Sequence, residues 1–74
     1  TTSSRLPQWR QGAATLTESA STFAYDTPFD RETYERLRSL DLPMICYAAA
    51  VEGTQCLIID PASRAPTMMA AYGP

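Results

Sequence analysis

The amino-acid sequence predicts an α+β fold, with one helix packed on a small antiparallel β-meander of two to three strands. Three segments predict it: a capped helical segment in the middle of the chain, an apolar hairpin-like segment after it, and a further apolar stretch near the end. A chain of 74 residues forms at most one domain. We expect residues 21–74 to form this domain, and residues 1–20 to be an extended, mobile or partly disordered arm.

The N-terminal arm is mostly polar, and Trp9 is its exceptional residue. A single Trp in a polar segment either docks on its own domain or contacts another molecule, and the sequence leaves both alternatives open. From residue 13 onward the Ser and Thr content disfavours a stable helix, because these side chains compete for backbone hydrogen bonds. The β-formers of Thr22–Tyr25 predict a short first strand.

The helix is predicted to run from Pro28 to about Leu40. Thr27 suits the N-cap, and Pro28 suits the first helical position because the N–H that it lacks would have no helical partner there. Asp30, at the third position, complements the helix dipole. Asp41–Pro43 is expected to end the helix, since the residue before a proline avoids helical backbone.

One face of this helix is apolar and the rest is largely charged. The apolar face consists of Phe29, Thr33, Leu37 and Leu40, with Tyr34 at its side. Phe29, Leu37 and Leu40 are expected to pack on one face of the sheet. Charged residues four apart, such as Glu32 and Arg36, can pair with each other, which predicts a solvated helix face.

Residues 44–60 predict a β-hairpin. Gly53 suits the first central position of a two-residue turn, which places Glu52 opposite Gln55 and Val51 opposite Cys56. Side chains alternate between the two faces of a strand. One face then carries Ile45, Tyr47, Ala49, Val51, Cys56 and Ile58, and the other carries Met44, Cys46, Ala48, Ala50, Leu57 and Ile59.

Neither face of this hairpin is polar. A hairpin with one solvated side should alternate apolar with polar residues, so both sides are expected to be buried. Residues 67–72 can add a third strand, with Pro66 at its start on a sheet edge. Because one helix covers only one face, the other face is expected to need a partner molecule.

Cys46 and Cys56 are not expected to form an intrachain disulfide. In the predicted register they lie roughly 17 Å apart along the strands, whereas a disulfide tolerates at most about 7 Å between Cα atoms. They also point to opposite faces. We expect two buried thiols that pack as small apolar side chains, with redox, metal-binding or intermolecular roles as the alternatives.

The composition excludes several chemistries. The chain has no His and no Lys, which removes Ser-His-Asp and Cys-His catalysis, most zinc sites, Schiff-base chemistry and the phosphate-binding P-loop. We expect no enzymatic activity, no catalytic residue, no metal and no cofactor. A net charge of −2 gives no attraction to nucleic acid or anionic lipid. No stretch reaches the roughly 20 apolar residues of a membrane helix, and the expected location is cytoplasmic.

The sequence therefore predicts a small non-enzymatic interaction module: a regulator, inhibitor or accessory subunit. It is expected to bind another protein, or a second copy as a homodimer, through an apolar face or an edge of its sheet. The predicted partner-binding residues are Trp9, Met44, Cys46, Ala48, Leu57, Ile59, Met68, Met69 and Tyr72.

Two alternatives stay open from the sequence. One is an antitoxin-like or transcriptional DNA-binding protein, although the basic residues outside the helix, Arg5, Arg10 and Arg64, are scattered in an acidic chain. Contact with nucleic acid is therefore expected only within a larger complex. The other alternative is a small subunit of a multi-subunit enzyme that contributes Cys or carboxylate groups to a shared site.

Overall fold

A computed structural model of the chain describes residues 1–20, 23–50 and 53–73. Its helices are α1, Leu16–Ser19, and α2, Arg31–Ser39, and a 3-10 turn spans Ser3–Arg5. Its strands are β1, Ala24–Asp26; β2, Met44–Ala50; β3, Gly53–Ile59; and β4, Pro66–Gly73. The four strands form one antiparallel sheet in the order β1-β4-β3-β2.

The α+β class is confirmed, and the sheet has four strands where two to three were predicted. β1 and β2 are the two edge strands, and α2 connects them across the face that holds the core, called here the inner face. The opposite face is called the outer face. Of the first strand predicted at Thr22–Tyr25, Thr22 lies outside the described residues, and the observed β1 is Ala24–Asp26.

Helix α2 begins later than predicted because Asp30, and not Thr27, is its N-cap. The Asp30 carboxylate accepts a hydrogen bond from the Thr33 backbone N–H at 2.9 Å, which holds the pKa of that carboxyl below its usual range. The Thr27 hydroxyl instead donates to the Met69 carbonyl at 2.7 Å. This bond joins the start of the helical segment to β4.

The core lies between α2, the N-terminal segment and the inner face of the sheet. Its buried apolar residues are Leu6, Leu16, Tyr34, Leu37, Met44, Cys56, Ile58, Met69 and Ala70, with Phe29 and Tyr25 among those packed against them. The prediction that Leu40 packs on the sheet is wrong, because this residue is 50% exposed. Leu40 is the C-cap of α2, and the chain turns away at Asp41, which has a φ of 54°. Tyr34 takes the central position on the helix face.

The N-terminal segment folds onto the end of α2, where an extended arm was predicted. Ser3 is fully buried, and its hydroxyl donates to the Leu37 and Arg38 carbonyls at 2.9 and 3.2 Å. The same hydroxyl accepts a hydrogen bond from the Leu42 N–H at 2.9 Å. The last carbonyls of a helix have no partner within the helix. Ser3 therefore completes the C-terminal end of α2 and fixes the start of the chain beside it.

The first residues also lie along the start of β2. Thr2 forms an antiparallel bridge with Pro43, and the Met44 N–H donates to the Thr1 carbonyl at 3.0 Å. Thr1 therefore occupies the first position along the outer side of β2.

The register between β2 and β3 differs from the predicted one. Cys46 lies opposite Cys56, and Gly53 is a strand residue rather than the centre of the turn. The residues between the two strands, Val51 and Glu52, lie outside the described residues. Because the pairing is displaced by an odd number of residues, every side chain of β3 lies on the face opposite to the predicted one, relative to β2.

Candidate functional site

The outer face of the sheet presents rows of side chains that run across the strands. The first row is Ile45, Leu57 and Met68, and the second is Tyr47, Gln55, Ala71 and Asp26. Ile59 follows the first row along β3, on the same face as Leu57. The Tyr47 hydroxyl donates to the Gln55 side-chain oxygen at 3.0 Å, so these two strands contribute to one common face.

Large apolar side chains of this face are open to solvent. Ile45 is 72% exposed, Ile59 is 49% exposed and Tyr47 is 44% exposed. Their sequence neighbours on the inner face, Met44 and Ile58, are buried. The difference arises because the helices and the N-terminal segment of the described chain pack on the inner face.

The other half of the outer face has mostly small residues, which leave a depression in the surface. A shallow depression of about 300 Å³ is lined by Ala24, Asp26, Ala49, Gly53, Thr54, Gln55, Ala71, Tyr72 and Gly73. Asp26 is the one charged side chain on the outer face of the described strands. The surface thus combines a raised apolar row with a shallow depression, a relief that suits another protein surface better than a small polar ligand.

The predicted partner-binding residues divide between the two faces. Leu57, Ile59 and Met68 lie on the outer face; Cys46, Ala48 and Tyr72 lie on the inner face; Met44 and Met69 are buried in the core. The structure therefore does not bring these residues onto one surface. Two causes account for the division: the displaced hairpin register, and a β-bulge at Met69 that places this residue and Ala70 side by side in the core.

Ile45 and Tyr47 are outer-face residues that are not among the predicted partner-binding residues. Their alternation along β2 is as predicted, because Ile45 and Tyr47 share one face while Met44 and Cys46 share the other. The predicted register was wrong in which residues of β3 it placed on the same face as these residues of β2. A turn centred between the two cysteines would have given the observed combination.

Cys46 and Cys56 form a disulfide between β2 and β3, with their Cα atoms 4.0 Å apart. The prediction of two separate thiols is wrong, because the observed register places the two residues directly opposite each other on the inner face. Cys56 is buried, whereas Cys46 is exposed at the sheet edge. A signal was available in the sequence, since the two cysteines are equidistant from Val51, the centre of a hairpin that would pair them.

Trp9 docks on its own domain, the first of the two alternatives left open by the sequence. Its ring contacts Tyr34 edge to face, with centroids 5.9 Å apart, and its indole N–H donates to the Ala13 carbonyl at 3.0 Å. The Trp9 backbone N–H donates to the Glu35 carboxylate at 2.8 Å, and its carbonyl accepts from Arg31 Nε at 3.2 Å. Charged residues of α2 therefore hold the N-terminal segment.

Two further hydrogen bonds join α2 to the same segment. The Tyr34 hydroxyl donates to the Pro7 carbonyl at 2.7 Å, and Arg38 Nε donates to the Leu6 carbonyl at 2.8 Å. Burial raises the pKa of the Tyr34 phenol above its usual value. Two arginines of α2, Arg31 and Arg38, therefore donate to carbonyl groups of the N-terminal segment.

Within residues 1–20, 23–50 and 53–73, no group of three or more His, Cys, Asp or Glu side chains is arranged to hold a metal ion. None of the helices in that part of the chain is long and apolar enough to cross a membrane. Comparison with known proteins finds no matching family model, no matching curated protein and no matching solved structure.

Proposed function

We propose that the protein is a non-enzymatic interaction module, acting as a regulator, inhibitor or accessory subunit, which binds another protein through the outer face of its sheet. The observation that carries this proposal is the exposure of large apolar side chains, Ile45 and Ile59 above all, on a face that the described helices leave open. Contiguous apolar patches on a folded domain mark interaction surfaces.

The composition of the outer face supports this proposal and indicates the chemistry of the partner. A sheet face that functions only in water normally carries polar residues, whereas the row of Ile45, Leu57 and Met68 is apolar throughout. Burial of apolar area contributes about 25 cal/mol per Å². The carboxylate of Asp26 flanks the depression, so the fitting partner has an apolar surface bordered by a Lys or Arg side chain.

The disulfide bears on where this binding would take place. Disulfides persist in oxidising compartments and are rare in the reducing cytosol. The cytoplasmic location expected from composition stays a prediction, and the Cys46–Cys56 bond weighs against it.

Site-specific photo-cross-linking tests the proposed function. A photoreactive phenylalanine derivative replaces Ile59 on the outer face, and in a second variant it replaces Leu40 at the end of α2. The two positions are matched, since their side chains are 49% and 50% exposed. We expect a discrete protein adduct from position 59 and none from position 40 after irradiation in the native host.

Competition makes this experiment specific. Excess unmodified chain should suppress the adduct, and excess Ile45→Lys variant should not, because a charge in the apolar row opposes burial. Identical adducts from both positions, or suppression by both competitors, would contradict binding through the outer face.

A further inference from the structure

Among residues 1–20, 23–50 and 53–73, no strand pairs with the outer side of β2, which is an edge of the sheet. β2 is an edge strand of seven residues, Met44–Ala50, without a charged residue or a proline. Proteins usually protect such an edge with Lys, Pro, a bulge or a covering segment, because its unpaired N–H and C=O groups can pair with another strand. In this molecule, the protection observed is limited to the two ends of the strand.

One hydrogen bond of the described chain defines which backbone groups of β2 point to its outer side. The Met44 N–H donates outward, to the Thr1 carbonyl, so the N–H and C=O groups of Cys46 and Ala48 also point outward. The disulfide agrees with this assignment. Cys46 and Cys56 have Cα atoms 4.0 Å apart, as expected for a pair that does not exchange ladder hydrogen bonds.

The Thr1 contact and an irregularity in the β2–β3 ladder limit the length of this edge. Thr1 occupies the position beside Met44. At the other end, a register shift between Ala48 and Ala50 interrupts the ladder. The regular part of the edge that no other described residue occupies is therefore 45–48.

We propose that this edge pairs with the same edge of a second copy, antiparallel, with Tyr47 on the two-fold axis. In this register Cys46 lies opposite Ala48 of the second copy, and the two copies form two hydrogen-bonded pairs within this edge. A two-fold axis at Cys46 instead would pair Met44 with Ala48 of the second copy, and Thr1 already occupies Met44. A two-fold axis at Ala48 would extend the pairing past the register shift between Ala48 and Ala50, where the β2–β3 ladder is interrupted.

A second copy fits this edge for reasons of symmetry and chemistry. Pairing about a two-fold axis makes the strands antiparallel, which is the orientation that Thr2 already adopts beside Pro43. On the outer face, Ile45 lies opposite Ala49 of the second copy, a large residue against a small one. The product is one continuous eight-stranded sheet, so the inference goes beyond the proposed function by joining two outer faces into one surface.

Disulfide trapping tests the register with two single variants of the otherwise intact, oxidised chain. Tyr47→Cys places a thiol on the axis, where the two Cα atoms would be about 4.5 Å apart, within the range for a disulfide. Ile45→Cys is the matched control, on the same strand and face but roughly 13 Å from its counterpart. Ile45 is also the more exposed residue, so random collision would cross-link it at least as fast.

We expect Tyr47→Cys to form covalent dimers about tenfold faster than Ile45→Cys, because only the first can reach disulfide geometry without rearrangement. Adding Ala48→Pro, which removes an outward N–H, should abolish this difference, and Ala48→Ser should keep it. Equal rates for the two cysteine variants would overturn the proposal even if Ala48→Pro does not fold.

The outcome is separable from that of the proposed function. Slow trapping at Tyr47 together with a discrete photo-adduct at Ile59 would remove the edge dimer and leave the binding face. Rapid trapping without an adduct would establish the dimer and reject binding of another protein through the outer face.

Discussion

Ile58 and Ile59 are the same residue type, adjacent on one strand, and they have opposite environments. Ile58 is 1% exposed and packs in the core, whereas Ile59 is 49% exposed on the outer face. Alternation along the strand separates them, and the position of α2 decides which one is covered. Within the described residues, α2 covers the inner face only, and apolar side chains of the outer face stay partly exposed.

Truncating each isoleucine in turn tests whether the two side chains contribute differently to stability. Ile58→Ala should lower the free energy of unfolding by about 2–5 kcal/mol, because it opens a cavity in a packed core. Ile59→Ala should lower it by about 1 kcal/mol or less, since this side chain is half solvated. Urea unfolding followed by circular dichroism measures both. Equal losses would show that the outer face is also buried in the isolated chain.

The disulfide joins the edge strand β2 to the central strand β3, and removing it tests how much this bond stabilises the fold. Reduction, or the double variant Cys46→Ala and Cys56→Ala, should lower the free energy of unfolding by about 2–3 kcal/mol, mainly by releasing a closed loop in the unfolded chain. The urea midpoint with and without reductant measures the effect. A midpoint unchanged by reductant would mean that the bond does not contribute to stability.

Ser3→Ala tests whether the N-terminal segment is part of the cooperatively folded core. The change leaves the Leu37 and Arg38 carbonyls and the Leu42 N–H without their hydroxyl partner, and should cost about 1–3 kcal/mol. Ser39→Ala is the control, since its exposed hydroxyl bonds only the Arg36 carbonyl, and should change stability by at most about 0.5 kcal/mol. Similar unfolding curves for the two variants would place Ser3 outside the cooperative core.

Tyr34→Phe is expected to have a small effect on stability at neutral pH and a distinct pH dependence. Losing the hydroxyl bond to the Pro7 carbonyl should cost about 1 kcal/mol. In the wild type, burial raises the pKa of Tyr34 above its unfolded value of about 10. A raised pKa in the folded state means that the stabilisation is complete below pH about 10 and is lost as the pH rises further.

The Tyr34→Phe variant has no phenol to ionise, so its free energy of unfolding does not fall for this reason as the pH rises. The difference in free energy of unfolding between wild type and variant should therefore shrink from pH 8 to pH 11. Urea unfolding at the two pH values measures the change. A deficit that stays constant or grows would argue against a buried, neutral phenol.

The sequence predicted the fold class, the helix and the apolar character of the hairpin because each depends on local pattern. The central part of α2, its end near Asp41 and the alternation along β2 agree with prediction. The start of the helix was less accurate because Thr27 and Asp30 are both good N-caps. In the structure Asp30 caps α2, and the Thr27 hydroxyl donates to the Met69 carbonyl.

The composition of the candidate surface could be predicted only in part, because it depends on register. Gly53 is a favoured turn residue, and placing the turn there reversed the faces of β3 relative to β2. The role of Ser3 could not be predicted either, because its partners are more than 30 residues away in the chain.

A bound protein should cover the outer face and leave the inner face unchanged. The chain contains three isoleucines, Ile45 and Ile59 on the outer face and Ile58 in the core, so an isoleucine-methyl NMR spectrum reports on both faces at once. On addition of extract from the native host, we expect the Ile45 and Ile59 signals to shift or broaden. The Ile58 signal should keep its position and lose only the intensity that slower tumbling removes from all three signals. Three unchanged signals, or a change confined to Ile58, would contradict this expectation.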